Sequence, residues 1–241
     1  MSRAHVVEDG DLLALHFESE KVQTRVLRSD PDRLVLAYTR TMMGFLLLAD
    51  APRCITMIGL GSGSLARACR RALPEAAFTA VEVSADVVAL REVFGVPPDG
   101  PRFRVRLGDG AAYLDDTSLV PVDVLLVDGF DPAGQPPALC SPAFYAACAA
   151  RLAPGGVLVV NLNADATGYG DYVRRVRDAF PDGLVVVETD DRENKIVFAL
   201  RGAALPPVET LHARAAAHDP DGVLGLAETA AAIAWRARKR G

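Results

Sequence analysis

The chain has 241 residues, 50% hydrophobic and 24% charged, with 26 Lys and Arg against 31 Asp and Glu. This composition excludes a disordered chain. At about 150 residues per domain the length allows one α/β domain with small additions, large enough to need no disulfide or metal staple. The net charge of −5 argues against a general nucleic-acid binder, whose surface carries a basic stripe, and suits a neutral or cationic small-molecule partner.

The opening residues, MSRAHVVEDGDLL, lack the apolar run of a signal peptide. Met42 to Ala49 is the longest apolar stretch near the start and is too short to span a bilayer. The expectation is a soluble, cytoplasmic protein without a membrane association. Residues 1–30 alternate in short runs around Asp9-Gly10, a hairpin signal. From Pro31 the spacing of Leu34, Ala37, Tyr38, Thr41, Met42 and Phe45 predicts a helix. Ser29 or Asp30 would cap it, and it would end near Asp50.

Residues 54–202 alternate strands and helices. CITMIGL, AFTAVEV, FRVRLGD, VDVLLVDG, VLVVNLN, GLVVVETD and KIVFALR read as seven strands. Between them lie helices opening at GSGS, at Ser84 (running through Val93), after Gly108-Asp109, at SPAFYAACAARLAPGG with Pro-Gly-Gly as its stop, and at GYGDY. The DREN turn is too tight for a parallel crossover, so the last strand runs antiparallel. The fold expected is α/β, a Rossmann-like doubly wound sheet of seven strands with the last antiparallel, a small N-terminal β-hairpin and C-terminal helices. Residues 203–241 are Ala-rich, two helices separated at Pro220-Asp221-Gly222, and the basic RARKRG tail reads as a helix end whose cations suit the dipole. The division is then 1–53, hairpin plus helix; 54–202, the nucleoside-binding catalytic domain; 203–241, a helical extension. Of the net charge, −5 lies in 54–202, against −1 before it and +1 after it. Cys54, Cys69, Cys140 and Cys148 form no CxxC pair and read as free thiols. His5, His16, His212 and His218 lack ligand spacing, so no metal is expected.

The chemistry gathers at strand ends. Gly59-Leu60-Gly61-Ser62-Gly63-Ser64 follows a strand and opens a helix, where glycines let the backbone approach a ligand and the helix start supplies N–H donors. Glu82 ends the next strand, where a carboxylate can accept from a ribose diol. The third strand delivers Asp109-Gly110; Asp109 suits an adenine amine, a helix N-cap, or both. A phosphate-free nucleoside fits better than a dinucleotide. Asp128 ends the fourth strand, and Asp131 follows in a loop containing Pro132 and Gly134 that suits a lid. Two carboxylates so close can hold a cationic amine and take its proton. Alkyl transfer from a sulfonium needs a base and positioning, and little else.

The runs YTRTMM, IGLGSGSLAR, VEVS, GDGAAYL, DVLLVDGFDPAGQPPAL and FYAACAARLAPGGVLVVNL resemble the polyamine aminopropyltransferases, the spermidine synthases, over roughly Gln23 to Arg201. The resemblance implies decarboxylated S-adenosylmethionine as co-substrate beside a polyamine groove. Glu82 would hold the ribose and Asp109 the adenine, with Gly59, Gly61, Ser62, Gly63 and Gly110 around the donor. Asp128 would deprotonate the attacking amine and Asp131 would bind it, while Tyr38 and Gln23 would line the groove. It implies a small amine or polyamine as partner, without nucleic acid, and allows a homodimer. Where the family carries an Asp in the glycine loop this chain has Ser62, and the chain before the helix is short for the family's β-domain. Ser62 keeps a second reading open, ordinary S-adenosylmethionine with methyl transfer. A third is a nucleoside-binding module without catalysis.

Overall fold

The structure, a computed structural model, describes residues 4–17, 22–131 and 134–239, and only the backbone of 22 and 23. The N-terminal segment forms a three-stranded antiparallel sheet, β1 (His5–Asp9), β2 (Leu12–His16) and β3 (Val22–Leu27). The expected hairpin is therefore a meander with a third strand. Its first turn places Gly10 and Asp11 between paired Asp9 and Leu12, with Gly10 at φ +58°, the left-handed value such a two-residue turn demands.

The helix expected from Pro31 to Asp50 is shorter and broken. It consists of α1 (Ala37–Met42) and α2 (Phe45–Leu48). Ser29 and Asp30 do not cap it: the Ser29 amide and hydroxyl donate to Asp11, and the Asp30 carbonyl accepts from the Arg33 amide. Arg40 reaches back to the Leu34 and Val35 carbonyls and so satisfies an extended segment where helix was expected. At the break, Gly44 has no room for a side chain; a Cβ there would stand 2.7 Å from Thr229 Cγ2 and 2.9 Å from Phe198 Cζ.

The large sheet has seven strands: β4 (Cys54–Ile58), β5 (Ala77–Glu82), β6 (Phe103–Leu107), β7 (Val122–Val127), β8 (Leu152–Asn163), β9 (Gly183–Glu188) and β10 (Asn194–Leu200). Their order is β6-β5-β4-β7-β8-β10-β9, parallel as far as β8, with β10 antiparallel to both neighbours. Six further helices follow the first pair before the tail is complete: α3 (Ser64–Ala72), α4 (Ala85–Ala89), α5 (Gly110–Asp115), α6 (Pro142–Arg151), α7 (Tyr169–Ala179) and α8 (Val208–His218); α9 (Leu226–Arg238) closes the described chain. Two buried apolar clusters lie on the two faces. One joins α1, α2, α3, α8, α9 and the small sheet, and the other joins α5, α6 and α7. This is the expected doubly wound sheet with helices on both faces.

Two helix boundaries differ from expectation. The helix capped by Ser84, whose hydroxyl accepts from the Val87 amide, stops at Ala89 rather than Val93. The helix before Pro-Gly-Gly does stop, at Arg151, but Pro154, Gly155 and Gly156 belong to β8. The Gly155 amide donates to the Arg201 carbonyl at 2.7 Å, and the Arg201 amide to the Gly156 carbonyl at 2.9 Å, so pairing with a residue far along the chain overrides the local stop signal. The four cysteines are free. Among the described residues no helix is long and apolar enough to cross a membrane, and no cluster of three His, Cys, Asp or Glu could hold a metal ion. Arg240 of the basic tail lies outside the described residues.

Candidate active site

The chain leaves β4 for β5 and β6 on one side, then returns to lay β7 on the other. Strand order thus reverses between β4 and β7, and ligands of open α/β sheets sit in the crevice beyond the carboxyl ends at such a reversal. A cavity of about 310 Å³ lies there, within the range of small-molecule sites.

The glycine loop forms its floor. The Gly59 amide donates to the Val81 carbonyl at 2.8 Å, and Gly59 takes φ +92°. A Cβ at that position would meet the Asp128 carbonyl oxygen at 2.3 Å, so only glycine lets β4 and β7 close this edge. Gly61, Ser62 and Ser64 line the cavity. Gly63 does not: it caps α3, and its hydrogen-only face packs on Val96. Ser62 is 1% exposed, its hydroxyl 2.6 Å from Thr24 Oγ1 and 2.9 Å from Ser64 Oγ. Behind it Arg67 is buried, donating to the carbonyls of Ser62 at 2.9 Å and Pro31 at 2.7 Å, and to that of Phe94. Burial lowers the pKa of that guanidinium.

Glu82, the last residue of β5, is buried and fully engaged on one side. Its Oε2 accepts from the Leu60 amide at 2.8 Å and its Oε1 from the Ser84 amide at 2.9 Å. Each carboxylate oxygen keeps a further lone pair, so the residue stitches the glycine loop to β5 and still offers acceptors to the cavity it lines. Asp109 is exposed, caps α5 by accepting from the Ala112 amide at 2.9 Å, and also lines the cavity. Both roles weighed for it are geometrically compatible. Gly110 sits behind it as the first residue of α5, against Ile58.

Asp128 follows β7 directly, its amide donating to the Ile58 carbonyl at 2.9 Å. Its Oδ1 accepts from Asn161 Nδ2 at 2.9 Å, and the Tyr38 hydroxyl of α1 donates to the same carboxylate. Burial pushes its pKa up to about 6 and the negative Glu82 adds to the rise, while the bonds from Asn161 and Tyr38 pull the other way. The Tyr38 phenol is raised well above its ordinary value, first by burial and then by the charge of Asp128. Asp131 lines the same cavity; its amide and carbonyl pair with those of Gly134 across the loop. Pro132 and Ala133 lie outside the described residues, as does the side chain of Gln23, which falls on β3.

The cavity thus gathers Tyr38, Gly59, Gly61, Ser62, Glu82, Asp109, Gly110, Asp128 and Asp131. Sequence reasoning missed Asn161, which is 2% exposed, and Thr24. A signal existed for the first: an Asn inside the apolar run VLVVNLN must find a partner when buried. Nothing local marks Thr24, whose partner is 38 residues away.

A family model described as the spermine/spermidine synthase domain matches residues 35–167. The polyamine aminopropyltransferase of Chromobacterium violaceum is 36% identical over 217 residues, which are 89% of this chain and 83% of that protein. Among solved structures, a probable spermidine synthase from Corynebacterium glutamicum superposes with a TM-score of 0.70 at 22% identity, covering 82% of this chain and 76% of that one. Human methyltransferase-like protein 13, solved with SAH, superposes at 0.64 and 24% identity, covering 84% and 93%. At these identities the two structures speak for the fold alone.

Proposed function

The chain belongs to the spermine/spermidine synthase family, and from that premise we propose that it moves an aminopropyl group from decarboxylated S-adenosylmethionine to a small amine or polyamine, with Asp128 as the proton acceptor. The observation that carries this is the placing of Asp128 in one cavity with Glu82, Asp109 and Asp131, at the sheet reversal. We take residues 54–202 as the catalytic unit, with 1–53 and 203–241 as its additions.

The chemistry balances with no group beyond the two substrates. The acceptor enters as an ammonium, gives a proton to Asp128 and attacks the carbon beside the sulfonium with its lone pair. The C–S bond breaks, its electrons neutralise the sulfur, and methylthioadenosine leaves as a neutral thioether that needs no acid. What the protein must supply is alignment and a base. A carboxylate pushed up to about 6 takes a proton from an ammonium more readily than an ordinary aspartate does. Glu82 accepts from the ribose hydroxyls, Asp109 from the adenine amine, and Asp131 holds the distal ammonium. Tyr38 flanks the amine, and Gly59, Gly61, Ser62 and Gly110 let the backbone surround the nucleoside.

Ser62 favours a second reading. Its hydroxyl, tied to Thr24 and Ser64, puts no negative charge where the donor's amino-acid end would lie, so ordinary S-adenosylmethionine meets no repulsion there. The similarity to the Chromobacterium violaceum polyamine aminopropyltransferase supports the first reading over this one. The test is incubation with putrescine and each donor in turn, followed by mass spectrometry. Amine-dependent methylthioadenosine from the decarboxylated donor supports aminopropyl transfer. S-adenosylhomocysteine from the ordinary donor supports methyl transfer instead, and neither product contradicts both.

A further inference from the structure

Because β10 runs against its neighbours, it begins where the parallel strands end. Its first residue, Asn194, therefore stands at the carboxyl edge of the sheet beside the site, paired in register with Asn163 and diagonal to Asn161. Its Nδ2 donates to Asn161 Oδ1 at 2.9 Å, and Asn161 Nδ2 donates to Asp128 Oδ1 at 2.9 Å. A chain of two amides thus runs from β10 through β8 to the end of β7.

The direction of that chain has a consequence. An ionised carboxylate only accepts, whereas a protonated one also donates. Asn161 must turn its NH2 to Asp128 to favour the ionised form, and its buried carbonyl oxygen then needs a donor on the far side. Asn194 supplies it. With an acceptor at 194 the Asn161 amide gains by turning over, and its carbonyl then faces Asp128 and favours the protonated acid; with nothing at 194 the amide only loses the donor that holds it in the first orientation. The main chain leaves Asn161 little other freedom: it pairs with Ile196 of β10, and its main-chain carbonyl accepts from Gln135 Nε2 at 2.8 Å. Asn194 is itself held: its amide donates to Thr189 Oγ1 at 3.1 Å and its carbonyl accepts from the Thr189 amide at 3.0 Å. The other titratable groups at Asp128 are Tyr38 from α1, Glu82 from β5 and Asp131 in its own loop.

We propose that Asn194 is a positioning residue for the transfer, which by donating to Asn161 keeps that amide turned so that Asp128 stands ionised and oriented toward the amine. The proposal rests on the reading of Asp128 as the base. The test is the pH profile of kcat/KM from pH 5 to 9, with putrescine and the decarboxylated donor, for the native chain, Asn194→Asp and Asn194→Ala. Each variant is repeated in an Asn161→Ala background, with circular dichroism to establish folding. Asn194→Asp moves the acid limb up by about one pH unit, which lowers kcat/KM at pH 6 about fivefold and leaves it little changed at pH 9. Asn194→Ala keeps the β10 backbone bonds and moves the limb the same way by less, so it serves if the Asp variant does not fold. Without Asn161 the Ala shift vanishes and the Asp shift shrinks to what the added charge gives by itself. An unmoved limb in a folded variant, or a shift of the same size without Asn161, overturns the proposal. Asp128→Asn separates the two failures: full turnover there means the base reading has fallen and the proposal with it, whereas lost turnover there with unmoved limbs means that only the positioning has.

Discussion

Thr24 Oγ1 on β3 lies 2.6 Å from Ser62 Oγ in the glycine loop, and both side chains are buried. This bond ties the small N-terminal sheet to the floor of the cavity, so β3 helps to shape the cavity through Thr24.

A carboxylate placed at 62 would stand where these hydroxyls now meet. Ser62→Asp is expected to raise KM for ordinary S-adenosylmethionine relative to the decarboxylated donor by about tenfold or more, because like charges in a desolvated site repel strongly. The ratio of the two KM values measures this directly, and an unchanged ratio contradicts the account of Ser62.

Glu82 uses one oxygen for the Leu60 amide and the other for the Ser84 amide. Glu82→Gln must turn its NH2 toward one of those donors and leave that N–H without an acceptor, at a cost of about 1–3 kcal/mol. Denaturant unfolding should show that loss together with a nucleoside affinity weakened at least tenfold. Native stability with native affinity would mean that the carboxylate does neither job.

With Asp128 as the proposed base, required ionised and with its pKa raised to about 6, the acid limb of kcat/KM should fall near pH 6. In Tyr38→Phe a hydrogen bond that favours the charged form is gone, so the limb moves to higher pH. A limb that stays in place, or moves down, would show that the phenol does not stabilise the carboxylate.

Much of this was legible in the residues. The seven strands and their antiparallel close follow from apolar runs and a tight turn, and the caps at Ser84 and Asp109 from residue type alone. What escaped depends on contacts between distant parts of the chain. The break after α1 needs Thr229 and Phe198 against Gly44. The entry of Pro-Gly-Gly into β8 needs Arg201. The Asn194–Asn161 bond joins residues 33 apart, and neither residue has an apolar or charge pattern that announces the other.

The most direct test of the central claim is Asp128→Asn, measured for turnover, donor binding and melting temperature at pH 8. The folded pKa is raised, so this carboxyl favours folding while protonated, and that contribution is lost as pH rises from its unfolded value through about 6. At pH 8 the ionised group is a net cost of about 1–2 kcal/mol, reduced by its partial exposure. A neutral amide should therefore leave the melting temperature unchanged or raise it and keep donor affinity within about threefold, while turnover falls by about a hundredfold or more. Turnover within about tenfold of native in that folded, donor-binding variant would contradict Asp128 as the base.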